Sequence, residues 1–265
     1  MGYASLDAAL AFPSNLAPIN AHIAITDTLK SDANFLIHHF VVNQLKNDKR
    51  VVLVGLAQIF NHYFLIGRKL GINLQAHKQS GKFVFLDGLT HLNEFTSGTP
   101  YPPAKAPTAP TDTLDYKDKQ CLLKSFYKTI SRHVTLSNTL VILDDISVLL
   151  YNGFDIEQVS TFILKLRSLV ESVQGTLLTV MHADEEGSED IEQDNFIKSI
   201  IYGSSLVLQV QPLNSGLARD VHGQLDIIYG PQQPYQQTMD TPQQSLHYKI
   251  LDNSVSFFAR GIAQV

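Results

Sequence analysis

Short runs of β-forming residues, apolar at nearly every position, alternate along the chain with stretches whose apolar residues recur at helical spacing. The runs are AHIAITD (21–27), RVVLVGLA (50–57), KFVFLD (82–87), TLVILDD (139–145) and GTLLTVMH (175–182). A strand covered on one face is apolar at every second residue, whereas one covered on both faces is apolar throughout. The runs therefore predict a mostly parallel sheet held between two layers of helices. Between them the spacing predicts helices over 34–47 and over about 59–70, the second stopped by Gly71. Within 114–134, Leu122, Leu123, Phe126, Tyr127, Ile130 and Val134 share one helical face. Over 156–173, Ile156, Val159, Ile163, Leu166, Val170 and Val173 alternate steps of three and four, and a short helix is expected around 196–201.

Beyond residue 203 the pattern changes to strands joined by turns, over 204–213, 223–229, 245–251 and 254–260. NSGLARDVHG (214–223) reads as a hairpin connection with glycines at its bends, DNS (252–254) as a tight turn, and 231–244 as a Pro/Gln-rich loop. The expected fold class is α/β: one domain over 1–265, mostly parallel, ending in an antiparallel extension of the same sheet. Two segments carry no core pattern. Residues 96–113, rich in Pro, Thr and Ala, read as a flexible insertion or surface loop, and ADEEGSEDIEQD (183–194) is so acidic that like charges oppose packing.

Composition narrows the function classes. At 44% hydrophobic the 265 residues can build a substantial core, while only 17% charged suits a surface partly covered by partners. A net charge of -5 opposes a surface that clings to nucleic acid everywhere, so any RNA contact needs a local basic patch. One cysteine, Cys121, excludes an internal disulfide and suits a reducing compartment. MGYASLDAALAF lacks the basic start and long apolar core of a signal peptide, and no run is long enough to span a bilayer. A soluble cytosolic chain with no membrane partner is the expectation. Ten histidines include no pair at metal-ligand spacing; His38 and His39 are adjacent on a helix and face different ways. No GxSxG elbow is present.

The strand ending in Asp144 and Asp145 is the type that supplies the magnesium-holding carboxylate of a P-loop NTPase. Its partner should be a glycine-rich loop between an earlier strand and helix. The slot exists between residues 27 and 34, but TLKSDA (28–33) holds no glycine. Phosphate cradles need positive φ and close backbone approach, which glycine supplies. Asp27 and Asp32 flank the turn and would oppose phosphate; Lys30 sits in mid-loop, not at the helix entrance beside Asn34. The slot formed by Asp27, Lys30, Asp32, Asn34, Asp144 and Asp145 is therefore degenerate. No metal site and no cofactor are expected from it; the acidic pair can equally cap a strand end or meet a neighbour's arginine.

Several stretches, in this order and spacing, resemble the family of sixth subunits of the Elongator complex, members of the RecA-like ATPase superfamily that lost their nucleotide motifs. They are FLIHHFVVNQLK (35–46), FNHYFLIGRKLGINL (60–74), FVFLDGL (83–89), LVILDDISVLL (140–150), GLARDVHGQL (216–225) and YKILDNSVSFFARG (248–261). The resemblance covers nearly the whole chain and implies a RecA-like fold. It implies a hetero-hexameric ring with subunits four and five, two copies of each, joined to the larger catalytic subcomplex and binding tRNA. The complex places 5-carboxymethyl-type groups on the wobble uridine (U34), with chemistry performed by another subunit. This chain would be an accessory subunit and no enzyme, in the cytoplasm and also the nucleus. Two alternatives stand beside it: an ATPase whose ATP site is completed across a ring interface, and a regulatory adaptor with no RNA role. RecA-type rings further imply that Arg219, in the C-terminal hairpin, reaches a neighbour or an RNA phosphate, against the plainer role of a surface arginine near Asp220. His222 beside it would stack on a base or make a single backbone bond. Lys198 and Tyr202 offer one cation and one stacking face to RNA, against the plainer role of surface residues.

Overall fold

Five of the apolar runs form β1 (Ala21–Asp27), β2 (Val51–Gly55), β3 (Phe83–Asp87), β4 (Leu140–Asp144) and β5 (Thr176–His182). β6 (Leu206–Gln211) joins them in parallel, and β7 (Gly223–Tyr229), β8 (Gln244–Leu251) and β9 (Ser254–Ala259) continue antiparallel. Together they make one nine-stranded sheet in the order β3-β2-β4-β5-β1-β6-β7-β8-β9. The computed structural model describes residues 2–89, 122–183, 191–213, 216, 218–231 and 244–260. The expected insertion at 96–113 lies outside them, as does most of the acidic segment and of the Pro/Gln-rich loop.

The period of two sends alternate side chains of each buried strand to opposite layers. In β2, Val51 and Leu53 enter the core beneath α1 (Ala4–Leu10), α2 (Asn34–Lys46), α3 (Phe60–Lys69) and α4 (Leu74–Gln79). Val52 and Val54 enter the core beneath α5 (Leu122–Ser131), α6 (Ser147–Tyr151), α7 (Ile156–Ser172) and α8 (Ile191–Gly203). Burying each such side chain contributes roughly 1.5–3 kcal/mol relative to exposure, so a polar residue on either face would be costly. The extension differs: in β8, Leu246 and Tyr248 are buried while Ser245, His247 and Lys249 between them are only partly covered. One face of the extension is packed and the other is not.

Three local features go beyond the pattern. The chain opens in α1, which docks on α2 through polar contacts: the Tyr3 N–H donates to His39 Nδ1 (3.0 Å) and Asn43 Nδ2 donates to Asp7 Oδ1 (2.7 Å). Its apolar signal is Leu6 and Leu10 alone, too short for periodicity to register. The short helix expected at 196–201 is a correction: α8 begins at Ile191, inside the acidic segment, with Glu192 and Asp194 in its first turn. There the acids meet the positive end of the helix dipole, which favours them. Finally, Ser147 to Tyr151 form the short helix α6 directly after the acidic pair.

Candidate functional site

The parallel strands bring their C-terminal ends to one edge of the sheet, and there the acids singled out from the sequence meet. β1 ends at Asp27, β4 at Asp144, and β5 lies between them and ends at His182. The register places His182 opposite Asp27. Its Nδ1 donates to Asp27 Oδ1, while its Nε2 lies 2.9 Å from Asp145 Oδ2 as an ion pair. The His182 backbone N–H donates to Ser147 Oγ (2.8 Å), and the Ser147 N–H donates to Asp145 Oδ1 (2.7 Å). Hydrogen bonds from the ring to Asp145 and Asp27 push the imidazole pKa up to about 10, outweighing its partial burial, so His182 is an imidazolium at neutral pH. Desolvation raises the pKa of the Asp27 carboxyl, and its bonds to His182 and Ala33 pull it back.

Asp144 is 2% exposed, and desolvation pushes its pKa up to about 7. The Tyr63 hydroxyl, from α3, donates to Asp144 Oδ2 and pulls it the other way. Burial first, then the carboxylate, hold the Tyr63 phenol far above its ordinary range. The Asp144 carbonyl also accepts the Ala57 N–H at 3.0 Å, tying the end of β2 to β4.

The loop between β1 and α2 consumes its own donors. Thr28 and Ser31 form an isolated antiparallel bridge, with the Ser31 N–H donating to the Thr28 carbonyl at 3.0 Å. The Ala33 N–H donates to Asp27 Oδ2 (2.9 Å) and the Asn34 N–H to Asp32 Oδ1 (2.6 Å). Asp32 also accepts from the Asn34 side-chain amide at 2.9 Å. A phosphate cradle works because such N–H groups converge unpaired on the ligand. Here those of Thr28, Ser31, Ala33 and Asn34 end on carbonyls and carboxylates of the same loop and strand, and Lys30 lies exposed at the tip. The residues present do not fit a magnesium–triphosphate: the N–H groups of Thr28, Ser31, Ala33 and Asn34 are taken, the Asp27 and Asp32 carboxylates flank the loop, and Asp144 is held by Tyr63. Among the described residues no group of three or more His, Cys, Asp or Glu side chains is arranged to hold a metal ion.

The acids of the degenerate slot thus lie close together, and sequence reasoning missed the two groups that complex them. His182 read only as the last residue of a strand, and Tyr63 as one residue of a helix. The clue to His182 was its position at the end of a buried strand, but only the neighbouring of β5 and β1 pairs it with Asp27.

The remaining candidates stand elsewhere. Arg219 and His222 lie exposed ahead of β7. Asp220 pairs with Lys249 at 2.7 Å, and His222 is bound to β8: its N–H donates to the Tyr248 carbonyl (2.8 Å) and its Nδ1 accepts the Ile250 N–H (3.1 Å). Lys198 and Tyr202 share one face of α8, an i,i+4 pair; Tyr202 is 70% exposed, and Lys198 lies 3.8 Å from Asp194 one turn back. Among the described residues no hydrogen bond or ion pair joins either group to the acidic cluster.

Comparison with known proteins supplies the family. The sequence model described as Elongation complex protein 6 matches residues 3–252. Elongator complex protein 6 of Xenopus laevis is 35% identical over 240 residues, covering 88% of each chain. The human protein of that name is 33% identical over 240 residues with the same coverage. Among solved structures, a KaiC-like protein of the archaeon Pyrococcus horikoshii superposes with a TM-score of 0.58 at 9% identity, covering 91% of this chain and 90% of its own. An uncharacterized protein of the same organism, crystallised with an unknown peptide, gives 0.62 at 13% identity, covering 97% of each. The fold is therefore RecA-like, with the parallel body and antiparallel end expected from the sequence.

Proposed function

This chain belongs to the Elongation complex protein 6 family, and from that membership we propose that it is a noncatalytic RecA-like subunit of a hetero-hexameric ring. The ring contains subunits four and five, two copies of each, joins the larger catalytic subcomplex and supports tRNA binding for 5-carboxymethyl-type modification of wobble uridine. The chain itself takes no cofactor. It works in the cytoplasm and the nucleus, and among the described residues no helix is long and apolar enough to cross a membrane. Arg219 and His222, and separately Lys198 and Tyr202, are its proposed contacts to ring neighbours or RNA.

One observation carries the noncatalytic part. Asp27, where a phosphate cradle would begin, accepts hydrogen bonds from His182 and from the Ala33 N–H, so strand end and loop are closed on each other. The same closure weighs against an ATPase completed by a neighbour, because a donated arginine would not free these N–H groups.

Coexpression with the fourth and fifth subunits, followed by native mass spectrometry, tests the reading. A particle holding two copies of each is the expected result; a monomer or homo-oligomer indifferent to those subunits would overturn it. On the assembled particle, Asp144→Asn should leave assembly and tRNA binding unchanged. Loss of an ATPase rate with assembly intact would instead establish a nucleotide site in this chain.

A further inference from the structure

α5 and α7 pack side by side, and between them lies an outward-facing groove of about 760 Å³. That is the upper part of the range for ligand sites, roughly 300–1,000 Å³. Among the described residues Leu123, Tyr127 and Phe162 form its floor. Leu123 and Phe162 are nearly closed off, so a partner touches chiefly the half-buried Tyr127 and the alkyl stems of Lys124, Lys128 and Lys165. The groove runs from Leu123 to Lys128 on α5 and from Glu157 to Lys165 on α7. At about 1.5 Å per residue that is roughly 8–12 Å, the length of two turns of a helix.

The charge around that floor decides the occupant. Lys124, Lys128 and Lys165 line the groove against one acid, Glu157, in a chain whose net charge is -5. From Leu122 to Leu143 the chain carries no acid at all. All three lysines are exposed, and among the described residues none of their ammonium groups has a hydrogen-bond or ion-pair partner. Other cations are answered within the fold, as Lys82 is by Asp48 and Lys249 by Asp220. The helix dipole accounts only for Lys128, in the last turn of α5. Lys124 stands in the first turn of α5, where the dipole opposes a cation, and Lys165 stands in the interior of α7.

We propose that this groove receives an acidic amphipathic helix of a protein partner, engaged over about two turns. Its apolar side chains, at helical spacing, lie along Tyr127 and the lysine stems. Carboxylates on its two flanks meet Lys124 and Lys128 on one wall and Lys165 on the other. RNA would need the cations alone; the apolar floor between two cationic walls is what favours a helix. The chain's own insertion at 96–113 lacks the matching charge, with Asp112 its single acid against Lys105. The inference goes beyond the ring reading and does not depend on it, since it needs this chain alone.

The test is fluorescence anisotropy of the full chain against a labelled helix-forming peptide. The peptide carries Leu and Phe at positions i, i+3, i+4 and i+7 and glutamate on both flanks. Saturable binding is expected, and the same peptide with lysine for glutamate should not bind. Lys124→Glu combined with Lys165→Glu should weaken binding at least about tenfold, and Tyr127→Ala by about tenfold. The two lysines are exposed, so their reversal leaves the fold intact. Equal binding of a glutamate peptide without the apolar residues would overturn the proposal in favour of charge alone. Oligouridine bound through these lysines, with the peptide unbound, would give the groove to RNA. Binding seen only after deletion of residues 184–190 would give it to the chain's own acidic segment. Peptide binding indifferent to all three substitutions would place the contact elsewhere, and no binding in any form would remove the site.

Discussion

Two polar groups flank the start of α2, and they stand in opposite states. On the strand-end side, Asp27 and Asp145 hold the His182 imidazolium between them and Tyr63 holds Asp144. Beside it, His38 Nε2, His62 Nε2 and Asn34 Oδ1 are buried with no hydrogen-bond partner. Both groups are largely buried, so burial alone does not explain the difference. The first supplies its own counter-charge: a histidine delivered by β5 occupies the place where an incoming cation would neutralise the acids. The second has polar atoms that no group of the protein answers. A polar group answered from within adds to the stability of the fold, whereas one left unanswered costs it the desolvation of that group.

The sharpest way to break that contrast is to remove the internal cation. His182→Ala leaves Asp27 and Asp145 facing each other without a counter-charge, and removing one partner of a buried ionic set is strongly destabilising. Because the ring is about one-third exposed, a loss of about 3 kcal/mol in urea unfolding is expected. A loss below about 1 kcal/mol would mean that water, not His182, neutralises the acids. The pH dependence follows from the same groups. The folded pKa of His182 is raised from 6.5 to about 10, so its stabilisation is complete below pH 6.5 and fades as pH rises toward 10. Buried His22, His38 and His39 are lowered to about 3, so stability is lost on their account as pH falls below 6.5. Asp144, raised from 3.8 to about 7, works against that acid limb. Urea midpoints should therefore peak near pH 6.5, and the decline between pH 7 and 9 should flatten in His182→Ala.

Tyr63→Phe is the next smaller perturbation. It removes the hydroxyl that answers Asp144 and leaves a buried carboxylate short of one donor, at a cost of about 2 kcal/mol at pH 8. Below pH 6 most of the Asp144 carboxyl is protonated in the folded state, so the cost should fall to under about 1 kcal/mol. Equal destabilisation at both pH values would show that packing of the ring, not its hydroxyl, supports Asp144.

These particular residues also show what the sequence made legible. The sheet was readable because burial on two faces forces unbroken apolar runs, and β1 begins and ends where its run does. The degenerate slot was readable because the missing glycines and the flanking Asp27 and Asp32 are local facts. What closes the slot was not, because pairing His182 with Asp27 and Tyr63 with Asp144 depends on contacts 155 and 81 residues apart in sequence. The state of His38 was equally hidden: the adjacent histidines could be assigned to different faces of a helix, yet their fates part only in the fold. His39 accepts the Tyr3 N–H from α1, while His38 meets α3 and finds no partner. Helix α1, with two apolar positions, left too little pattern to announce that contact.

The smallest expected effect is the most informative for the contrast. His38→Phe replaces a buried imidazole whose Nε2 satisfies nothing with an apolar ring of similar shape. Because that atom bonds nothing within the protein, its removal relieves a desolvation cost and loses no internal bond. The extra volume enters a side chain that already borders open space, so overpacking strain is small. Stability in urea should therefore change by no more than about 1 kcal/mol, and upward if at all. A loss of about 3 kcal/mol would place His38 with His182, as a group on which the fold depends, and would erase the distinction between the two groups. Unchanged or raised stability would establish it, because only an atom that satisfies nothing can be removed without cost.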